Sequence, residues 1–159
     1  MTEKATQGVR SGLPDDPDDF TAVTEIIMVA HLAETAFSRS LPPCLTYAQF
    51  GVLNRLARLD GTETISQLAK AFLVSQPTMS STVARLEAAG LVERRTDVSD
   101  ARRRPIALTE AGRMVRDEGV ERIDGLRDRI APMLGDTDFG MLIPALRRLR
   151  EALEPVVLE

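Results

Sequence analysis

The sequence predicts a mainly α-helical chain with a small β-hairpin wing, in the order of a winged helix-turn-helix, and three observations point that way. Two capping-box tetrapeptides, Thr46–Gln49 and Thr64–Gln67, open successive short helices, and Ser75 with Pro77 opens another. Two short strand-like runs, Leu91–Arg95 and Arg104–Leu108, flank a charged loop, the pattern of a long-tipped hairpin. Segments at both ends carry apolar stripes at helical spacing that need something to pack against.

Bulk properties frame this reading. A length of 159 residues suits one compact unit, since domains run to roughly 100–200 residues. The chain is 43% hydrophobic but only 4% aromatic, so aliphatic side chains must build the core. The longest apolar run, around Ile26–Ala30, is far shorter than the roughly 20 residues that span a bilayer. The start MTEKATQGVR has no apolar h-region, so a cytoplasmic protein without a membrane partner is expected. A single cysteine and a single histidine cannot build a Cys/His zinc cluster, so neither metal nor cofactor is expected.

A tail is expected over residues 1–17, which are polar and hold Gly8, Gly12, Pro14 and Pro17 without a helical or strand period. Asp18 or Asp19 then serves as N-cap of a helix within 18–44. Its faces are Phe20, Val23, Ile27, Ala30 and Ile26, Val29, Ala33, Phe37; Leu41-Pro42-Pro43 stops it. The winged segment occupies 45–110. Its first helix carries Phe50, Leu53 and Leu56 inward and ends before Gly61; the next carries Ile65, Leu68, Ala69 and Phe72; the third ends at Gly90. Residues 111–159 form the C-terminal helices. The first is capped by Thr109 and marked by Val115, Ile123, Leu126, Ile130 and Met133, although Gly112, Gly119 and Gly125 weaken the pattern. The second begins near Asp136 and carries Phe139, Leu142, Leu146, Leu149, Leu153 and Val156, with Pro144 predicting a kink or late start.

The third helix of the winged segment carries the functional signal. At 100° per residue, Met79, Val83 and Leu86 share one face, leaving Pro77, Thr78, Ser81, Ala84, Arg85 and Ala88 facing outward. Small hydroxyl side chains are poor solubilisers, yet they allow close approach to base edges and bond to phosphates. Ser75, Gln76, Pro77, Thr78, Ser80, Ser81, Thr82 and Arg85 are therefore the candidate DNA-reading residues, and the helix N-terminus at Ser75-Gln76 is a candidate phosphate seat. The formal net charge of −4 excludes a protein that coats nucleic acid by bulk basicity. Between Arg85 and Arg104, however, six arginines face four acids, a local concentration suited to phosphate. Arg102, Arg103 and Arg104 at a loop end can reach a minor groove, and Asp100 can orient the Arg102 guanidinium.

Leu68-Ala69, the run Val74–Arg94, Asp100-Ala101-Arg102 and Leu108-Thr109-Glu110-Ala111-Gly112 together resemble the MarR regulators, with the spacing of their D-x-R…L-T-x-x-G signature. The likeness extends in element order over about residues 20–157. It implies a homodimer in which the first helix and the last two interleave, presenting two winged domains to double-stranded operator DNA with a palindromic site. The recognition helix corresponds to Ser75–Ala89 and the wing-tip arginine to Arg102. Many relatives carry a long polar residue where this chain has Ser81, so the operator sequence is not inherited with the fold.

The resemblance also implies a repressor released by a small effector, often an anionic aromatic compound. His31, Phe37, Arg39 and Tyr47 lie on segments that would border such an effector's cleft. Cys44, after two prolines and ahead of the helix start at Thr46, offers an alternative redox switch. The peroxide-sensing branch places its cysteine near the beginning of the first helix, where this chain has none. An enzyme is disfavoured by the lack of a Gly-rich phosphate loop, a G-x-S-x-G elbow or an H-E-x-x-H pair. A winged-helix module that binds protein in place of DNA is the other rival, because fold does not dictate partner.

Overall fold

A computed structural model describes residues 16–96, 104–135 and 138–158. The elements are α1 (Asp18–Ser40), α2 (Tyr47–Leu59), β1 (Thr62–Glu63), α3 (Ile65–Ala71), α4 (Gln76–Ala88), β2 (Val92–Arg94), β3 (Ile106–Leu108), α5 (Glu110–Ile130) and α6 (Phe139–Leu158), with a 3-10 turn at Ala131–Met133. The mainly helical fold with a small sheet is the one expected. The tail at 1–15 and the wing loop 97–103 lie outside the described residues.

Both capping boxes form. Thr46 and Thr64 each accept the N–H of the residue three on, while Gln49 and Gln67 return a side-chain oxygen to the cap N–H. Two starts and stops differ from expectation. The N-cap of α1 is Pro17, with no side-chain cap, because the Asp19 carboxylate accepts its neighbour Phe20's N–H (3.0 Å). At the end of α2 the left-handed residue is Asp60 (φ 45°), not Gly61; a short polar side chain tolerates that region. Pro144 lies inside α6, which starts at Phe139 behind Asp138; the Asp138 carboxylate accepts the Gly140 N–H (2.9 Å).

The sheet has three strands in the order β1-β3-β2, all antiparallel, one strand more than the hairpin predicted. Thr62 pairs with Ala107 and Glu63 with Ile106, so β1 closes the far edge of β3. Two residues are too few to show a period-2 pattern, which is why β1 is silent in the sequence.

Two compact units divide the chain, Met1–Ile123 and Asp124–Glu159, so the division falls inside α5 and not at its start. In the first, Phe50, Val52, Leu53 and Leu56 of α2, Leu68 and Ala69 of α3, and Met79, Val83 and Leu86 of α4 meet Leu91, Val92 and Ile106 of the hairpin. Phe50 is the only aromatic residue among these buried side chains, as the composition requires. The glycines that weaken the helical pattern of α5 turn out to be packing points. A Cβ on Gly119 would meet Phe50 Cε2 at 2.6 Å, and one on Gly112 would meet the Leu91 carbonyl oxygen at 2.0 Å. Val115 and Ile123 pack against the same core, which carries α5 past the winged segment's expected end at residue 110.

No residue of α1 is buried: Phe20, Ile27 and Leu32 are 57%, 63% and 63% exposed. An 18-residue window of α1 has a mean hydropathy of 1.3, long and apolar enough by length and composition to cross a membrane, contrary to the sequence expectation. The unbroken run Ile26–Ala30 is short, but the alanines and valines interspersed around Glu25 and Glu34 raise the average. In the second unit, Phe139, Leu142, Leu146, Leu153 and Val156 of α6 are likewise exposed.

Candidate nucleic-acid interface

Helices α3 and α4 form the helix-turn-helix. The turn is tied by Phe72 N–H to Leu68 O (3.0 Å) and Val74 N–H to Ala69 O (3.0 Å), with Leu73 held at φ 52°. That left-handed conformation costs a leucine about 1–2 kcal/mol, which the bonds and packing around it must offset. Ser75 caps α4: its Oγ accepts the Thr78 N–H (3.3 Å) and lies 2.8 Å from Thr78 Oγ1. Pro77 has no N–H and the Thr78 amide is taken by Ser75, so of the first three helical positions only Gln76 presents an amide outward. The phosphate seat expected at this terminus is thus narrower than the sequence suggests.

Rotational placement of α4 agrees with the sequence reading. Met79, Val83 and Leu86 are buried, at 3%, 0% and 0% exposure. Pro77, Thr78, Ser81, Ala84, Arg85 and Ala88 are exposed, as are Ser75 and Gln76, whereas Ser80 and Thr82 are half-buried. Thr82 spends its hydroxyl proton on the Thr78 carbonyl (3.1 Å). Ser81 and Arg85, one turn apart, therefore form the exposed middle of the face, and no ion pair engages the Arg85 guanidinium among the described residues.

The wing begins directly behind this helix. Val92 faces Leu108, Glu93 faces Ala107 and Arg94 faces Ile106, and the Arg95 N–H donates to Pro105 O (2.8 Å). Arg94 Nε donates to Glu87 Oε2 of α4 at 3.0 Å, joining wing and helix; Arg95 pairs with Glu93 at 2.9 Å. Arg104, at the foot of the loop, is exposed, while Asp100, Arg102 and Arg103 lie outside the described residues.

Several supporting residues escaped the sequence reading. Glu63, only 8% exposed, accepts two bonds from Arg55, at 2.5 Å and 2.7 Å, so β1 is pinned to α2 by a bidentate pair. Arg116 of α5 donates to Asn54 of α2 through Nε (3.2 Å) and Nη2 (2.9 Å). Both pairs join elements through side chains whose spacing, 8 and 62 residues, carries no local signal.

Of the effector candidates, only Phe37 and Tyr47 are brought together, their rings stacked at 6.4 Å between centroids. His31 and Arg39 are exposed on α1, and at about 100° per residue they lie roughly 120° and 160° around the helix from Phe37. A shallow cleft of about 120 Å³ lies elsewhere, between Asp60, Gly61, Thr62, Arg95 and Arg113. Cys44 is a free, exposed thiol. Among the described residues no group of three or more His, Cys, Asp or Glu could hold a metal ion.

Comparison with known proteins agrees with this architecture. Residues 45–103 match the MarR family. The transcriptional regulator BldR from Sulfolobus solfataricus has the same fold with a TM-score of 0.72 and 25% identity, covering 85% of this chain and 96% of that one. CouR from Rhodococcus jostii RHA1, solved with p-coumaroyl-CoA, gives 0.67 at 24% identity over 88% and 92% of the two chains. A point mutant of MepR from S. aureus, bound to an oligodeoxyribonucleotide, gives 0.57 at 22% identity over 85% and 97%. The winged-helix segment matches the MarR family over residues 45–103, and the chain as a whole is similar in fold, nearly end to end, to solved MarR-type transcriptional regulators.

Proposed function

We propose that the protein binds double-stranded operator DNA as a homodimer, with α4 in the major groove and the wing arginines alongside, and leaves it when a small effector binds. The observation that carries this reading is the division of α4. Its apolar face is fully engaged in the core, and the face with Thr78, Ser81 and Arg85 is bare and free of carboxylates. Small hydroxyl and alanine side chains on that face let the helix approach base edges closely, and Arg85 beside them can reach a base edge or a phosphate. MepR's complex with an oligodeoxyribonucleotide supports DNA as the partner, and CouR's with p-coumaroyl-CoA supports a small-molecule effector.

A second copy of the chain is the natural cover for the exposed apolar faces of α1 and α6, and it explains the high hydropathy of α1 without a membrane. Such a dimer, acting in the cytoplasm, presents two α4 helices, and binding across one side of a duplex sets them about 34 Å apart on a palindromic site. An effector that favours another spacing would release both at once; a coupling of roughly 1–3 kcal/mol suffices for derepression. Phe37 and Tyr47 are the aromatic pair with which an effector would stack.

Selection of duplexes from a random-sequence pool tests the reading. The wild type should enrich a palindromic sequence, and Ser81→Arg should enrich a different one. Unchanged preference in Ser81→Arg would place the reading face elsewhere. Arg102→Ala should weaken binding to the enriched duplex by about 1–3 kcal/mol without unfolding the protein.

A further inference from the structure

The Leu108–Gly112 run, singled out above only as a family-like signature, has a specific mechanical place. Helix α4 closes with two bonds of a Schellman cap: Gly90 N–H to Glu87 O (2.9 Å) and Leu91 N–H to Leu86 O (2.9 Å), with Gly90 at φ 70°. The carbonyl of that same Gly90 accepts a bond from Thr109 Oγ1 at 2.8 Å. The same hydroxyl oxygen accepts the Gly112 N–H at 3.0 Å, which makes it the cap of α5. One hydroxyl therefore ties the glycine that ends the cap of α4 to the first turn of α5.

The backbone fastens the joint from the other side. Thr109 N–H donates to Leu91 O at 3.2 Å, and Gly112 lies against that carbonyl so closely that a Cβ would sit 2.0 Å from its oxygen. Further along α5, Arg116 grips Asn54 and Gly119 packs on Phe50, so the first part of α5 is anchored to α2. Nothing in this joint touches the DNA-facing side of α4.

We propose that Thr109 and Gly112 are positioning residues for DNA reading: through the Gly90 carbonyl and the Leu91 backbone they set the angle of α4 by the axis of α5. This rests on α4 being the reading helix. Any displacement along α5 is then carried to the groove-facing residues through one hydroxyl and one glycine contact, with a discrete made-or-broken state. Threonine supplies both a donor and an acceptor at this point, and serine is the one other small residue that does so. Glycine is required at 112 by the approach of the Leu91 carbonyl.

The test compares full-length wild type, Thr109→Val, Thr109→Ser and Gly112→Ala for affinity to the duplex the wild type enriches and to a scrambled duplex of equal length. Thr109→Val and Gly112→Ala should bind the enriched duplex roughly tenfold more weakly, leave the scrambled duplex little changed, and Thr109→Ser should recover wild-type discrimination. Equal weakening on both duplexes, or a Thr109→Val protein that discriminates as the wild type does, overturns the inference. Should the variants fail to fold, amide exchange in the wild type decides: addition of the enriched duplex should slow exchange at Thr109 and Gly112, and unchanged exchange there overturns it. A wild type that enriches no duplex removes the DNA-reading assignment and this inference together, whereas enrichment with an indifferent Thr109→Val removes the positioning role alone.

Discussion

At the scale of single residues, the most informative side chains are those whose surroundings leave them one task. Arg85 projects from the bare face of α4 with no carboxylate on it, so its charge is available to a base edge or phosphate. Arg85→Ala should cost about 1–3 kcal/mol in binding to the enriched duplex, with thermal stability unchanged; a titration and a melting curve together check this. Arg55 is the opposite case, committed to the buried Glu63. Removing it strands a carboxylate at the sheet edge, and Arg55→Ala should destabilise the fold by about 2 kcal/mol, less than breaking a fully buried pair because Arg55 is partly exposed. Replacing both partners, as Arg55→Met with Glu63→Leu, should recover most of that loss, measured by denaturant midpoint. Leu73, left-handed and exposed in the turn before α4, has a conformation that no local pattern announces, since the turn signal in sequence is a glycine.

At the scale of elements, what sequence shows and what it hides follows from range. Both capping boxes, the Ser75 cap with Pro77, the Gly90 terminus and the Met79-Val83-Leu86 face are local patterns, read within one helical turn, and the structure has each of them. Thr46→Ala or Thr64→Ala should each cost about 0.5–2 kcal/mol, checked by thermal unfolding. What stayed hidden is nonlocal: the two-residue β1, the Arg116–Asn54 grip, and the glycines of α5, which read as helix weakeners and act as packing contacts. Gly119→Ala should accordingly destabilise despite alanine's better helix propensity, because its methyl meets Phe50, and no slack for it exists in a close-packed core. The candidate site divides in the same way. Which residues of α4 are exposed was legible because it depends on rotation about one axis. Which effector candidates meet was not, because that depends on how distant segments pack, and of the four only Phe37 and Tyr47 come together.

At the scale of the whole molecule, the winged-helix core is self-sufficient while the apolar faces of α1 and α6 are not. Leu53, wholly buried between α2 and its neighbours, anchors that core, and Leu53→Ala should cost about 2–5 kcal/mol. If the proposed dimer packs through these stripes, charged replacements such as Ile27→Asp together with Leu32→Asp should shift sedimentation toward a single chain and weaken DNA binding with it, since a lone chain would present one α4 to a duplex instead of two. With a net charge of −4, the proposed DNA binding rests on the local cluster of arginines and not on bulk basicity. Affinity must then come from a few arginine–phosphate contacts, and these release counterions. Measuring the affinity of the wild-type protein for its enriched duplex across a range of salt is therefore the most direct test. The logarithm of the binding constant should fall linearly with the logarithm of salt concentration, with a slope near −0.9 per phosphate contacted and thus several in all; a flat dependence would contradict the account.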